Sequence, residues 1–141
     1  MVNVYGLTLS DGVSASEIIP GLWIGNQCDV DDLAFLEKNI DVVVTVSGLL
    51  PRHLVTGVAY IVFPLPQPFG KDGNVSARKL ITIMKKYSGL RMLVACWEGV
   101  DRSSTLTHKH MVDNLGYTAA EARKVVQKNR SIVHIHEDWW L

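Results

Sequence analysis

Leu93-Val94-Ala95-Cys96-Trp97-Glu98-Gly99-Val100-Asp101-Arg102-Ser103-Ser104 is the stretch from which the fold is read. The apolar run Met92 to Ala95 predicts a buried strand, a cysteine stands at its C-terminal end, and Arg102 opens a helix after five intervening residues that include one glycine. A turn of this kind points successive backbone N–H groups inward, the helix N-terminus adds partial positive charge, and an arginine fork meets two oxyanion oxygens at once. The same field stabilises the thiolate of Cys96, an anion at the positive end of a helix beside a permanent cation. The residues alone therefore predict an anion cradle built around an activated sulfur.

Outward from this loop the chain alternates strands and helices. Ile18 to Ile24 reads as one strand ended by Gly25-Asn26, and Asp29 to Lys38 as a helix whose first-turn acids Asp29, Asp31 and Asp32 suit the helix dipole and its cap. Asp41-Val42-Val43-Val44-Thr45-Val46 is continuous and β-branched, as a strand covered on both faces must be, and Tyr60 to Phe63 is the next. Ser76 to Tyr87 and Ser103 to Leu115 follow as helices, the second closed by Gly116, and Thr118-Ala119-Ala120-Glu121 is a capping box that opens the last clear helix. The predicted class is α/β, a mostly parallel sheet of about four to five strands with helices on both faces. Such sheets bind ligands at the carboxyl ends of their strands, where Cys96 stands. Residues 1–17 read as an N-terminal extension, with an extended piece over Val4 to Leu9 and a turn at Asp11-Gly12, and residues 18–141 as one domain.

Cys96-x5-Arg102-Ser103, together with Ile19-Pro20-Gly21-Leu22-Trp23-Ile24-Gly25-Asn26 near the start, resembles the cysteine-based protein phosphatases, in particular the compact dual-specificity branch. The resemblance implies a protein-tyrosine-phosphatase-like fold and hydrolysis of phosphate monoesters through a cysteinyl-phosphate. The expected substrate is a phosphorylated protein or a small molecule, with phosphotyrosine or another aryl phosphate preferred because a phenol-like leaving group needs less help from an acid, and with dual specificity as an option. Cys96 is then the nucleophile, Arg102 and the loop Trp97, Glu98, Gly99, Val100, Asp101 hold the phosphate, and Ser103 hydrogen-bonds the sulfur and eases its departure. Trp97 either lines the pocket mouth or packs into the fold. Two positions depart from the pattern: Ala95 stands where relatives carry histidine, and Glu98 and Asp101 place acids where many relatives have small or neutral residues.

Relatives that carry Pro-x-Pro-Asp after the preceding strand use that aspartate as general acid; in Pro64-Leu65-Pro66-Gln67 the match falls on Gln67, which cannot give a proton as an acid. Asp72 is one replacement and Asp101 another, since Cys-x-acid-Gly-x-Asp-Arg also resembles the loop of myotubularin-type lipid phosphatases. These departures keep open a second expectation, a catalytically weak or inactive pseudo-phosphatase that binds phosphorylated ligands. Sulfur transfer by a rhodanese-like domain fits the loop spacing poorly, and a loop with two acids and no lysine suits a lipid substrate less.

A chain of 141 residues, 48% hydrophobic, supports one core. Its formal net charge of zero gives no bulk attraction to nucleic acid or an anionic membrane, and neither partner is expected. No membrane span or signal peptide is legible, the two cysteines Cys28 and Cys96 suit a reducing compartment, and a cytoplasmic monomer without cofactor is the expectation. The tail reads as a strand on which His134 and His136 share a face, a pairing that invites a metal, as does that of His108 and His110 on a helix. No acid or cysteine with metal-ligand spacing stands near either pair in sequence, so no metal site is predicted. Trp139 and Trp140 are expected to cover the core edge.

Overall fold

The valine runs form the centre of the sheet. In the computed structural model, which describes residues 14–141, β3 (Val42–Thr45) and β5 (Met92–Ala95) are buried along their whole length and pair in parallel, Val42 opposite Met92 and Thr45 opposite Ala95. β2 (Leu22–Gly25) adds in parallel to the other side of β5, and β4 (Ala59–Val62) to the outer side of β3. β1 (Ser16–Ile19) pairs antiparallel with β2, so the sheet runs β1-β2-β5-β3-β4. This is the expected mostly parallel α/β sheet, with five strands. The segment expected as one strand, Ile18 to Ile24, is instead a hairpin. Pro20-Gly21 turns the chain, with Gly21 at φ +82° in the left-handed region that glycine enters without a Cβ clash.

Because side chains alternate along a strand, the two faces of the sheet carry separate apolar clusters. Val42, Val44, Met92, Val94 and Cys96 face α3 (Gly70–Lys86), α4 (Arg102–Leu115) and α5 (Ala119–Asn129) through Leu80, Met84, Leu106, Met111 and Val126. Val43, Leu93 and Ala95 face α1 (Gln27–Val30) and α2 (Leu33–Asn39) through Val30, Phe35 and Leu36. A sheet sealed on both faces leaves its strand ends as the places a polar ligand can reach.

Two helical expectations shift. The helix read from Asp29 to Lys38 is two helices, each capped by one of the acids. Asn26 and Asp29 form a capping box on α1, and the Asp32 carboxylate accepts the Phe35 N–H at 3.2 Å to start α2. The helix read from Ser76 begins six residues earlier, at Gly70. Gly73 lies against Pro66 so closely that a Cβ there would come within 2.8 Å of the Pro66 ring. The tail is not a strand: residues 131–136 are irregular and a short 3₁₀ helix, Glu137–Trp140, ends it. Trp140 is buried, and Trp139 and Trp140 bring their rings to 5.0 Å and 5.2 Å from that of Phe69, closing the core edge. The extended piece over Val4 to Leu9 and the turn at Asp11-Gly12 lie outside the described residues; β1 itself begins at Ser16. No described helix is long and apolar enough to cross a membrane.

Candidate active site

β5 delivers Cys96 to the carboxyl end of the sheet, and α4 begins six residues later at Arg102. The turn between them depends on Gly99, at φ +72°. A Cβ on Gly99 would lie 2.7 Å from both the Gly25 carbonyl oxygen and Arg130 Nη2, so the turn is packed as well as bent. The loop is fastened from three sides. Gln27 N–H donates to the Trp97 carbonyl at 3.2 Å, Arg130 Nε donates to the Gly99 carbonyl at 2.9 Å, and His134 N–H donates to the Val100 carbonyl at 2.9 Å. With its carbonyls drawn outward in this way, the loop can turn N–H groups toward a central anion.

At the bottom of the loop Cys96 Sγ lies 3.2 Å from Ser103 Oγ, both residues buried. Ser103 is inside α4, and its hydroxyl faces the sulfur. Arg102 reaches across the mouth of the loop: Nη1 donates to the carbonyls of Leu65 at 2.9 Å and Val46 at 3.2 Å. Its buried Nε has no hydrogen-bond partner among the described residues, which fits a donor directed at an oxyanion. Gln67, Cys96, Trp97, Glu98, Asp101 and Arg102 line a cleft of about 220 Å³ here. A larger recess of about 570 Å³ opens at the amino ends of the strands, among Pro20, Leu90, Arg91 and Tyr117. Position and chemistry favour the smaller cleft, because the larger one holds neither cysteine nor a helix N-terminus.

Of the residues singled out from the sequence, Cys96, Trp97, Glu98, Asp101 and Arg102 meet at this cleft, with Ser103 beneath the sulfur. Gly99 is buried against Gly25 and Arg130, and Val100 joins the loop to the tail. Glu98 is exposed at the rim, and Trp97 is half-buried there. Asp101 turns inward: its Oδ2 accepts from Gln67 Nε2 at 3.3 Å, and its Oδ1 lies 2.7 Å from His136 Nε2 and 3.6 Å from His134 Nδ1. Asp72 stands apart, exposed in the first turn of α3, outside the residues that line the cleft.

Arg130 escaped the sequence reading, and His134 and His136, which the sequence pairs only with each other, also stand at the site. Arg130 is buried behind the loop, donating to Gly99 O, to Ser14 O at 2.7 Å and to Ser16 Oγ at 2.9 Å. Burial pulls its guanidinium pKa down, while electrostatic interaction with Asp29 and Cys96 holds it up. Asp29 is itself shifted upward by burial, against the hydrogen bonds from Asn26 and Ser14 and the charge of Arg130. A buried cation thus bridges the first strand and the cysteine loop. His134 and His136 reach Asp101 from the tail, 35 residues beyond it in the case of His136, a distance no local motif can report.

No protein-family model matches the chain. Mouse dual specificity protein phosphatase 22 is 27% identical over 122 residues, 85% of this chain, and the match spans 66% of that protein, just under two thirds of its length. A mouse structure described as a dual specificity phosphatase complexed with zinc tungstate superposes with a TM-score of 0.81 at 22% identity, covering 96% of this chain and 87% of the other. Human DUSP28 superposes at 0.77 and 21% identity, covering 89% and 90%. In fold, and in the Cys-x5-Arg-Ser make-up of the loop after β5, the chain is like the compact dual specificity phosphatases.

Proposed function

We propose that the chain hydrolyses phosphate monoesters through a cysteinyl-phosphate, with aryl phosphates such as phosphotyrosine, in a protein or a small molecule, as the favoured substrates. One observation carries the reading: a buried sulfur sits under a helix N-terminus, 3.2 Å from a serine hydroxyl, in a small cleft edged by an arginine whose buried Nε has no partner among the described residues.

In the first step the Cys96 sulfur attacks phosphorus, an S–P bond forms and the bond to the leaving oxygen breaks. The transition state is loose and places its charge on three equatorial oxygens, so loop N–H groups and Arg102 do the main work of stabilisation. Leu65 and Val46 carbonyls hold Arg102 in place before substrate arrives, which lowers the cost of ordering it. The departing oxygen takes a proton from a carboxyl group. Asp101 is better placed for this than Asp72, since it lines the cleft and Asp72 does not. In the second step water attacks phosphorus, its proton passes to the same carboxylate, and sulfur leaves with the Ser103 hydroxyl to hold its charge. A cleft of about 220 Å³ is small, and it suits one phosphate on a slender aryl group.

Steady-state hydrolysis of p-nitrophenyl phosphate by the wild type and Cys96→Ser tests the proposal, because a phenolate leaving group needs little acid assistance. The expected outcome is turnover that falls by at least about 10³-fold in Cys96→Ser. Turnover that survives the substitution overturns the nucleophile. Tungstate binding with no turnover in the wild type would instead make the cleft a phosphate-reading module.

A further inference from the structure

The tail brings two imidazoles to one carboxylate. Its backbone is tied along the start of α4: His134 N–H donates to Val100 O, Ser104 Oγ lies 3.0 Å from His134 O, and His136 N–H donates to Thr105 Oγ1 at 3.0 Å. The His136 ring is clamped by the Trp139 indole, stacked at 4.0 Å and within 4° of parallel. Gln67 Nε2 holds the far oxygen of Asp101. Asp101 Oδ1, His134 Nδ1 and His136 Nε2 come within 4.8 Å of one another as a result.

We propose that Asp101, His134 and His136 form a binding site for a divalent transition-metal ion of the zinc type, and that metal bound there turns the phosphate cleft down. Two histidines and a carboxylate are a borderline donor set that suits zinc and its neighbours rather than magnesium or calcium. Bonds of about 2.0–2.2 Å in a tetrahedron put ligand atoms about 3.3 Å apart. The 3.6 Å from His134 Nδ1 to Asp101 Oδ1 is too long for a hydrogen bond and close to that spacing, while the 2.7 Å from His136 needs only a small opening. Gln67 is the outer partner that orients a ligating carboxylate, the tail's hydrogen bonds fasten the backbone of His134 and His136, and Trp139 fixes the His136 ring before metal arrives. The side chain of Asp101 is 22% exposed, that of His136 30% and that of His134 72%, so the site opens to solvent, where the ion and a fourth ligand can enter. The consequence for turnover rests on the phosphatase reading: a metal on Oδ1 withdraws Asp101 from the leaving oxygen at the cleft wall.

The test separates the site from the activity. Isothermal calorimetry with Zn²⁺ is run on Cys96→Ser, which removes the thiolate as a competing ligand, and on Cys96→Ser carrying His134→Ala. The exposed His134 side chain can be removed while its backbone bonds stay, so the fold is kept. One ion per chain is expected, bound at least about tenfold more weakly without His134. Absorption of Co²⁺ in the same two proteins is expected to show four-coordinate bands only when His134 is present. Equal binding by both proteins, or binding by neither, overturns the site. In the Cys96 wild type, phosphotyrosine-peptide hydrolysis is expected to fall as Zn²⁺ is added, with at least about tenfold more metal needed in His134→Ala. Metal that binds through His134 and leaves hydrolysis unchanged overturns the switch alone. Absence of hydrolysis before any metal is added refutes the phosphatase reading and leaves the calorimetry to decide the site.

Discussion

At the scale of single residues, the loop's shape rests on Gly99 and Arg130 as much as on the sulfur it surrounds. Gly99→Ala would force a Cβ to within 2.7 Å of a backbone oxygen in a left-handed turn, so the loop must move. Left-handed strain alone costs about 1–3 kcal/mol. The expected outcome is a lower midpoint of urea unfolding together with loss of tungstate binding. Arg130→Met removes the buried guanidinium and strands the carbonyls of Gly99 and Ser14, at about 1–3 kcal/mol for each buried group left unpaired. Loss of stability without loss of phosphate affinity would show that Arg130 serves only the core. Gln67→Glu addresses the proton donor: it keeps the reach of the amide and places a second carboxyl beside Asp101, where Gln67 Nε2 now stands 3.3 Å from Oδ2. Two carboxyls at that distance cannot both ionise cheaply, so one keeps its proton and becomes available to a leaving oxygen. Hydrolysis of alkyl phosphates is expected to rise by about 10-fold or more, and of p-nitrophenyl phosphate much less; parallel changes on both would argue against an acid missing from position 67.

At the scale of elements, what the sequence showed depended on whether the signal was local. β3 and β5 were legible because continuous β-branched and apolar runs mean burial on both faces. The cysteine loop was legible because a strand, a glycine and an arginine at fixed spacing are neighbours in the chain. The hairpin at Pro20-Gly21 was read as one strand because apolar residues flank a turn of only two residues. The start of α3 was missed because Gly70 and Gly73 look like loop residues, whereas Gly73 is needed for contact with Pro66. The partners of Asp101 could not be read at all, since His134 and His136 arrive from the far end of the domain. The capping box on α5 is a local signal that the structure carries out: Thr118 Oγ1 accepts the Glu121 N–H at 3.1 Å and Glu121 Oε1 accepts the Thr118 N–H at 2.9 Å. Thr118→Ala is expected to cost about 1 kcal/mol in urea unfolding and to leave tungstate affinity intact, because no residue of α5 lines the cleft. A change in affinity would mean that the helix start sets the position of Arg130.

At the scale of the whole molecule, stability should depend on pH through a residue far from the sulfur. His110 is buried in α4 at 1% exposure, with Nδ1 2.7 Å from Asn114 Nδ2, and burial lowers its pKa from 6.5 to about 4. The Asn114 amide can donate only to a neutral imidazole nitrogen, so the hydrogen bond favours the same form. Above pH 6.5 the ring is neutral whether the chain is folded or not, and it contributes no pH dependence. Between 6.5 and about 4 the unfolded chain takes up a proton that the folded chain refuses, so stability falls as pH falls, and below about 4 this loss levels off. The full loss is on the order of 3 kcal/mol. Asp41 adds to the acid side, since hydrogen bonds from Arg91 lower its pKa and are lost as its carboxylate is protonated. Asp29 acts in the opposite sense: burial raises its pKa, so its protonated form favours the folded chain at low pH. His110→Gln isolates the histidine by keeping a polar side chain of similar reach without a titrating group. Urea unfolding of both proteins from pH 7 to pH 4 should show the wild type losing more stability than the variant, with the difference growing below 6.5. Parallel curves would move the acid sensitivity of this fold from the helix behind the anion loop to its carboxylates.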